Sequence, residues 1–160
     1  MDATFTAEEE HRRGRELLAR ESAAEALEHF RAAHQLDRAN PRYRSFYGLA
    51  LALVERRFNQ ALELCRSAAK EEFFNPELYH NLARVHLAFG FKAEAIRYLR
   101  RGLMIDPANA PMARDLAVLG QRTRPVLGFL PRRHPLNRLL GRFRGALWSP
   151  APPDQLLHSA

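Results

Sequence analysis

The chain has 160 residues, 46% hydrophobic and 27% charged, which is the length and composition of one folded domain. Its single cysteine, Cys65, excludes an intramolecular disulfide, so we expect a reducing, cytoplasmic compartment. The acidic N-terminus has no apolar run and no stretch is long and uncharged enough to span a bilayer, so we expect neither a secretory signal nor a membrane-spanning helix.

Most of the formal net charge of +7 lies in the last 40 residues of the chain. Residues 1–120 hold 18 lysines and arginines against 17 acidic residues, whereas residues 121–160 hold seven arginines against Asp154 alone. The sequence therefore divides into a nearly neutral part and a basic extension of charge +6.

In chain order, the spacing of apolar residues predicts six helices in three pairs, and the pattern renews itself about every 34 residues. Small residues mark the period: Gly14, Gly48 and Ala83 are equivalent, with one extra residue in the second pair before Phe58. Ser22 is the predicted N-cap of the second helix. The six predicted helices lie near 7–20, 23–36, 42–55, 58–71, 76–89 and 92–104.

Each pair alone would leave an apolar face in water, so the pairs must stack. We predict an all-α solenoid of antiparallel helix pairs, with a repeat domain over 7–122. Its repeats lie near 7–40, 41–75 and 76–109, and a capping helix at 110–122 begins like a fourth repeat.

Within this basic extension, residues 123–160 are rich in proline, and the spacing of apolar residues over 135–147 predicts a short amphipathic helix. Four roles are open: folding back on the solenoid, which we favour, presentation to a partner protein, binding to an anionic membrane, and binding to nucleic-acid phosphate. The nucleic-acid role lacks a recognised motif. The residues predicted to act there are Arg132, Arg133, Arg138, Arg142, Arg144 and Trp148.

The sequence predicts no catalytic residue, cofactor or metal site. His29 and His34 are five residues apart and His80 and His86 six apart, whereas ligands on one helical face are three or four apart. We expect His86 and Cys65 to be buried packing residues.

The third copy, residues 76–109, resembles the tetratricopeptide repeat (TPR) family, and the first two copies resemble it more loosely. The matching positions are Tyr79, Leu82, Ala83, His86, Gly90, Ala95, Leu99, Gly102 and Pro107. The resemblance implies a right-handed solenoid whose first helices line a concave groove that binds peptides or proteins. Some relatives hold a C-terminal carboxylate with a Lys/Asn/Arg clamp, which is matched here only at Asn81 and Arg84.

The same resemblance assigns groove residues from each pair: His11, Arg12, Arg15, Leu18, Tyr43, Phe46, Tyr47, Glu77, His80, Asn81, Arg84 and Leu87. Such a groove suits an extended peptide with acidic and apolar residues. The alternative for Phe46 and Tyr47 is core packing, and that for the arginines is pairing with Glu8, Glu16 or Glu77.

We therefore expect a non-catalytic adaptor or scaffold that holds a peptide or a partner subunit. The alternative is a peripheral membrane or nucleic-acid binder that acts through the basic extension. Homodimerisation through an exposed end of the solenoid is a third alternative that the sequence leaves open.

Overall fold

A computed structural model describes residues 6–120, and this range contains only helices and their connections, which confirms the all-α prediction. The helices are α1 (Ala7–Ala19), α2 (Ala23–Leu36), α3 (Pro41–Ala50), α4 (Phe58–Glu71), α5 (Pro76–Ala88), α6 (Lys92–Ile105) and α7 (Ala110–Gly120). None of these helices has the length and apolar character needed to cross a bilayer. The extension and its predicted helix at 135–147 lie outside the described residues.

The helices pack in consecutive pairs: α1 on α2, α3 on α4 and α5 on α6. Neighbouring pairs stack through contacts of α2 with α3 and of α5 with both α3 and α4, while α7 packs on α6. One continuous apolar core results, with fully buried side chains such as Phe30, Leu49, Leu78 and Leu99.

Asparagine and proline set the starts of two helices. The side chains of Asn40 and Asn75 accept backbone hydrogen bonds from the first turns of α3 and α5, and a proline follows each. Ser22 occupies the N-cap position of α2, as predicted, but its side chain makes no capping hydrogen bond.

A π-helix over Leu51–Glu55 accommodates the extra residue of the second repeat. The wider turn of a π-helix adds a residue without ending the helix. The chain then turns at Arg56, which has a left-handed backbone with φ of 58°. The predicted helix near 42–55 is therefore α-helical only to Ala50 and π-helical beyond it.

The small residues of the repeat mark close contacts between helices. A methyl group added at Gly14 would lie 2.6 Å from Cε1 of Phe30, whose ring is fully buried. At Gly48 it would lie 3.0 Å from both the Ala61 carbonyl oxygen and the Cys65 sulfur. These glycines let the two helices of a pair approach each other.

We expect Gly14→Ala to lower the free energy of unfolding by about 1–3 kcal/mol, because the added methyl overpacks the core around Phe30. Alanine has a higher helix propensity than glycine, so Gly14→Ala would raise the free energy of unfolding if the added methyl group had room. Urea unfolding followed by circular dichroism measures the change. Gly120→Ala, where nothing lies within 4 Å, is the matched control. A Gly14→Ala protein as stable as the control would contradict the prediction.

Candidate functional site

The first helices of the three pairs and the start of α7 line a cavity of about 190 Å³. A cavity of this volume has room for several water molecules, and therefore for a ligand side chain. The lining residues are Arg15, Leu18, Phe46, Glu77, His80, Asn81, Arg84, Asn109 and Pro111. We call this cavity, together with Arg42 beside Glu77, the first-helix groove.

Two arginines from different helices converge on one carboxylate of this groove. Nη2 of Arg15 lies 3.4 Å from Oε1 of Glu77, and Nε of Arg42 lies 3.3 Å from Oε2. The Arg15 and Glu77 side chains are 47% and 26% exposed. The Arg15 guanidinium also lies over the ring of Phe46, 5.6 Å from its centroid. The charged rim is therefore partly open to solvent, and the protein's own carboxylate already engages its arginines.

The floor of the first-helix groove is polar and buried. The Asn81 amide donates a hydrogen bond to Oγ of Ser45 at 3.1 Å. Burial lowers the pKa of the Arg84 guanidinium to about 10, and the nearby Asp115 carboxylate opposes this shift. Nε2 of His80 lies 2.8 Å from Oδ2 of Asp115, which is itself buried. These hydrogen bonds connect neighbouring helices: Asn81–Ser45 connects α5 with α3, and His80–Asp115 connects α5 with α7.

His11 and Tyr43 support the groove from beneath. His11 is 1% exposed, and its ring centroid lies 4.8 Å from that of Phe46 and 5.0 Å from that of Tyr43. Burial, reinforced by Arg42 and Arg15, lowers the pKa of His11 to about 4, so the imidazole is neutral at pH 7. The Tyr43 hydroxyl donates to Glu8 at 2.8 Å, and burial raises its pKa to about 12.

Five of the twelve predicted groove residues are outside the cavity lining: His11 and Tyr43 lie beneath it, and Tyr47, Arg12 and Leu87 lie away from it. The Tyr47 ring stacks on His34 of α2, with centroids 5.4 Å apart. Arg12 pairs with Glu16 at 3.0 Å along the exposed side of α1. Leu87 is buried among core residues. The structure thus brings together Arg15, Leu18, Phe46, Glu77, His80, Asn81 and Arg84, while the tail residues from Arg132 to Trp148 lie outside the described residues.

Sequence reasoning missed Arg42, Ser45 and Asp115, although the period carried a signal for them. Hydrogen bonds between first helices join residues about one repeat apart in sequence. The separations are 35 residues for Glu8 with Tyr43, Arg42 with Glu77, and His80 with Asp115, and 36 for Ser45 with Asn81. Pairing polar residues of neighbouring first helices that are 35 or 36 residues apart points to all three.

His86 and Cys65 are buried packing residues, as predicted. The His86 ring stacks on Tyr98 with centroids 5.3 Å apart. The Cys65 thiol donates to the Ser45 carbonyl oxygen at 3.2 Å, and burial raises its pKa to about 12. Within residues 6–120 no three His, Cys, Asp or Glu side chains are grouped to hold a metal ion.

Residues 52–119 match the family model of the tetratricopeptide repeat, and solved TPR domains share the fold described above. Residues 52–119 of this chain are a tetratricopeptide-repeat segment. The matched range covers the π-helix, the second half of the middle pair, the third pair and most of α7.

Two solved TPR structures are similar to the array at sequence identities that establish the fold alone. One is the first TPR of Spaghetti (RPAP3) bound to the HSP90 peptide SRMEEVD, with a TM-score of 0.57 and 19% identity over 72% of this chain and 94% of that one. The other is the Arabidopsis OM64 TPR domain, with a TM-score of 0.56 and 21% identity over 71% of this chain and 93% of that one.

Among curated proteins, the N-terminal acetyltransferase A complex auxiliary subunit NAA15 of Arabidopsis thaliana is 33% identical over 95 residues. The match covers 59% of this chain but only 10% of that relative's length.

We expect Asp115→Asn to lower the free energy of unfolding by about 3–5 kcal/mol, because the buried Arg84 charge then loses its nearby carboxylate. Urea unfolding of the full-length chain measures the change. Glu63→Gln removes an equal charge from an exposed position on α4 and serves as the control. Unfolding curves of the two variants that coincide would show that Asp115 does not stabilise the array.

Proposed function

We propose that the first-helix groove binds an extended segment of a partner protein that carries acidic and apolar side chains, and that the protein acts as a non-catalytic adaptor. The observation that carries the proposal is the convergence of Arg15 and Arg42 on the Glu77 carboxylate at an open rim. Two guanidiniums already positioned around one carboxylate form a site that a second carboxylate can enter.

A ligand carboxylate would replace Glu77 between the two arginines. An apolar side chain of the same ligand would then lie against Leu18, Phe46 and Pro111 within the cavity. In this arrangement the ligand presents an acidic side chain next to an apolar one. The Arg15 guanidinium over the Phe46 ring keeps the charged and apolar parts of the site adjacent.

The buried floor argues against transferring the family's carboxylate clamp to this groove. Asn81 and Arg84, the two matching positions, are 1% and 2% exposed and face Ser45 and Asp115. A ligand that bound them directly would have to separate helices. Recognition by Arg15 and Arg42 needs only the displacement of Glu77, whose exposed ion pairs are individually weak.

The comparisons support the class of partner. The Spaghetti structure holds SRMEEVD, a peptide with three acidic and two aliphatic or thioether side chains. NAA15 is named as an auxiliary subunit of a complex, which agrees with a role in holding another protein. A short linear segment and an extended loop of a partner subunit present the same chemistry to this groove.

Fluorescence anisotropy with labelled SRMEEVD tests the proposal on the full-length chain. We expect Arg15→Glu to weaken binding by about tenfold or more, because a charge-assisted hydrogen bond becomes a repulsion. Arg66→Glu, on the exposed side of α4, changes the net charge by the same amount and is the matched control. Any nonspecific attraction between the acidic peptide and the basic extension is therefore the same in both variants.

Glu77→Gln should change the affinity for the peptide in the opposite direction. Removing the internal carboxylate frees Arg15 and Arg42 for the peptide, and we expect binding to tighten by about three- to tenfold. Equal affinities for the wild type, Arg15→Glu and Arg66→Glu would exclude the first-helix groove as the peptide site.

A further inference from the structure

A second groove lies between the α4–α5 connection and α6, where no first-helix side chain contributes. Its principal lining residues are Phe73, Phe74, Ile96, Arg97, Arg100 and Met104, and its volume is about 750 Å³. We call it the arginine–phenylalanine groove. It shares no lining residue with the first-helix groove.

The apolar side chains of this groove are unusually exposed for their size. Phe74 is 72% exposed, Met104 83% and Phe73 53%. Large apolar side chains grouped on a surface mark sites of protein–protein or membrane contact. The three side chains form one contiguous exposed apolar surface, since all of them line the same groove.

The phenylalanine pair is held in place from the core. The two rings pack on each other with centroids 4.3 Å apart. The backbone carbonyl of Phe73 accepts a hydrogen bond from the hydroxyl of the buried Tyr79 at 3.1 Å. The connection is therefore anchored beside α6, which lowers the entropy lost when a ligand binds there.

The charge of the groove has one sign. Arg97, Arg100 and Arg101 line it and no carboxylate does. No ion pair to these arginines occurs within the described part of the chain. Ile96, Arg100 and Met104 follow one another at steps of four residues, so apolar and basic groups share one face of α6 over about two turns.

We propose that the arginine–phenylalanine groove docks an acidic amphipathic helix of a partner protein. Apolar side chains of that helix would contact Phe74 and Met104, and its flanking aspartates and glutamates would contact the arginines of α6. A helix matches the spacing of four residues along α6 and the roughly two-turn length of the groove.

Two other occupants are disfavoured by their charge. The chain's own residues 121–160 carry seven arginines and one acidic residue, so they would be repelled by the three arginines of the groove. A second copy that used the same surface would bring the same three arginines against them. An acidic partner removes this repulsion and pairs with the charges.

The test uses the full-length chain and a labelled synthetic helix with leucines at positions i, i+3, i+4 and i+7 and glutamates beside them. Its twin has lysine in place of every glutamate. We expect the acidic helix to bind at least about tenfold more tightly than the twin, and Phe74→Ser and Met104→Ser each to weaken it by about tenfold. Leu36→Ser, at an apolar side chain 59% exposed on α2, is the matched control and should bind like the wild type.

Arg15→Glu separates this proposal from the first, because it alters only the first-helix groove and should leave the acidic helix bound. The basic extension is the same in every variant, so it cannot produce the difference between Phe74→Ser and Leu36→Ser. Equal binding by those two variants would overturn the proposal.

Two further outcomes would also overturn it. In the first, phosphatidylserine-containing vesicles retain the wild type but not Phe74→Ser, while the acidic helix binds the two proteins equally. That result would assign the groove to a membrane. The other is a dimer in light scattering that Phe74→Ser converts to a monomer, which would assign it to a second copy.

Discussion

On the first helices of this array, several polar side chains pair with a residue about one repeat away in sequence. Tyr43 bonds to Glu8, Asn81 to Ser45 and His80 to Asp115, each across 35 or 36 residues. Leaving such a group unpaired inside a protein costs about 1–3 kcal/mol, and more for a charge. These bonds therefore hold consecutive repeats in register as well as in contact, and the His80–Asp115 bond attaches α7 in the position of a fourth first helix.

The same relation at the rim produces the ion pair on which the proposed function rests. Arg42 and Glu77 follow equivalent Asn-Pro helix starts and lie 35 residues apart, but they are partly exposed. A buried pair contributes to the architecture and cannot be exchanged, whereas an exposed pair is weak enough for a ligand to displace. Burial thus distinguishes the polar pairs that stabilise the array from the partly exposed Arg42–Glu77 pair, which we propose a ligand carboxylate replaces.

Periodicity predicted the fold closely, because helix pairing depends on local spacing and on small residues such as Gly14 at fixed offsets. The groove was harder. His11 was expected at the surface, but Phe46 and Tyr43 from the next pair enclose its ring. Phe46 and Tyr47 are adjacent in sequence, yet about 100° of helical rotation directs one to the cavity and the other to α2. Burial of this kind depends on neighbours far apart in sequence, and the basic extension stays a prediction.

The central claim is that an acidic segment binds where the first helices meet, rather than at the basic extension. Backbone amide chemical shifts of the ¹⁵N-labelled full-length chain, recorded with and without the peptide SRMEEVD, test it most directly. The account predicts shifts concentrated in α1, α3 and α5, with the largest changes around Arg15, Phe46 and Glu77. Shifts confined to residues 121–160, or to α6 and the Phe73–Phe74 pair, would contradict it.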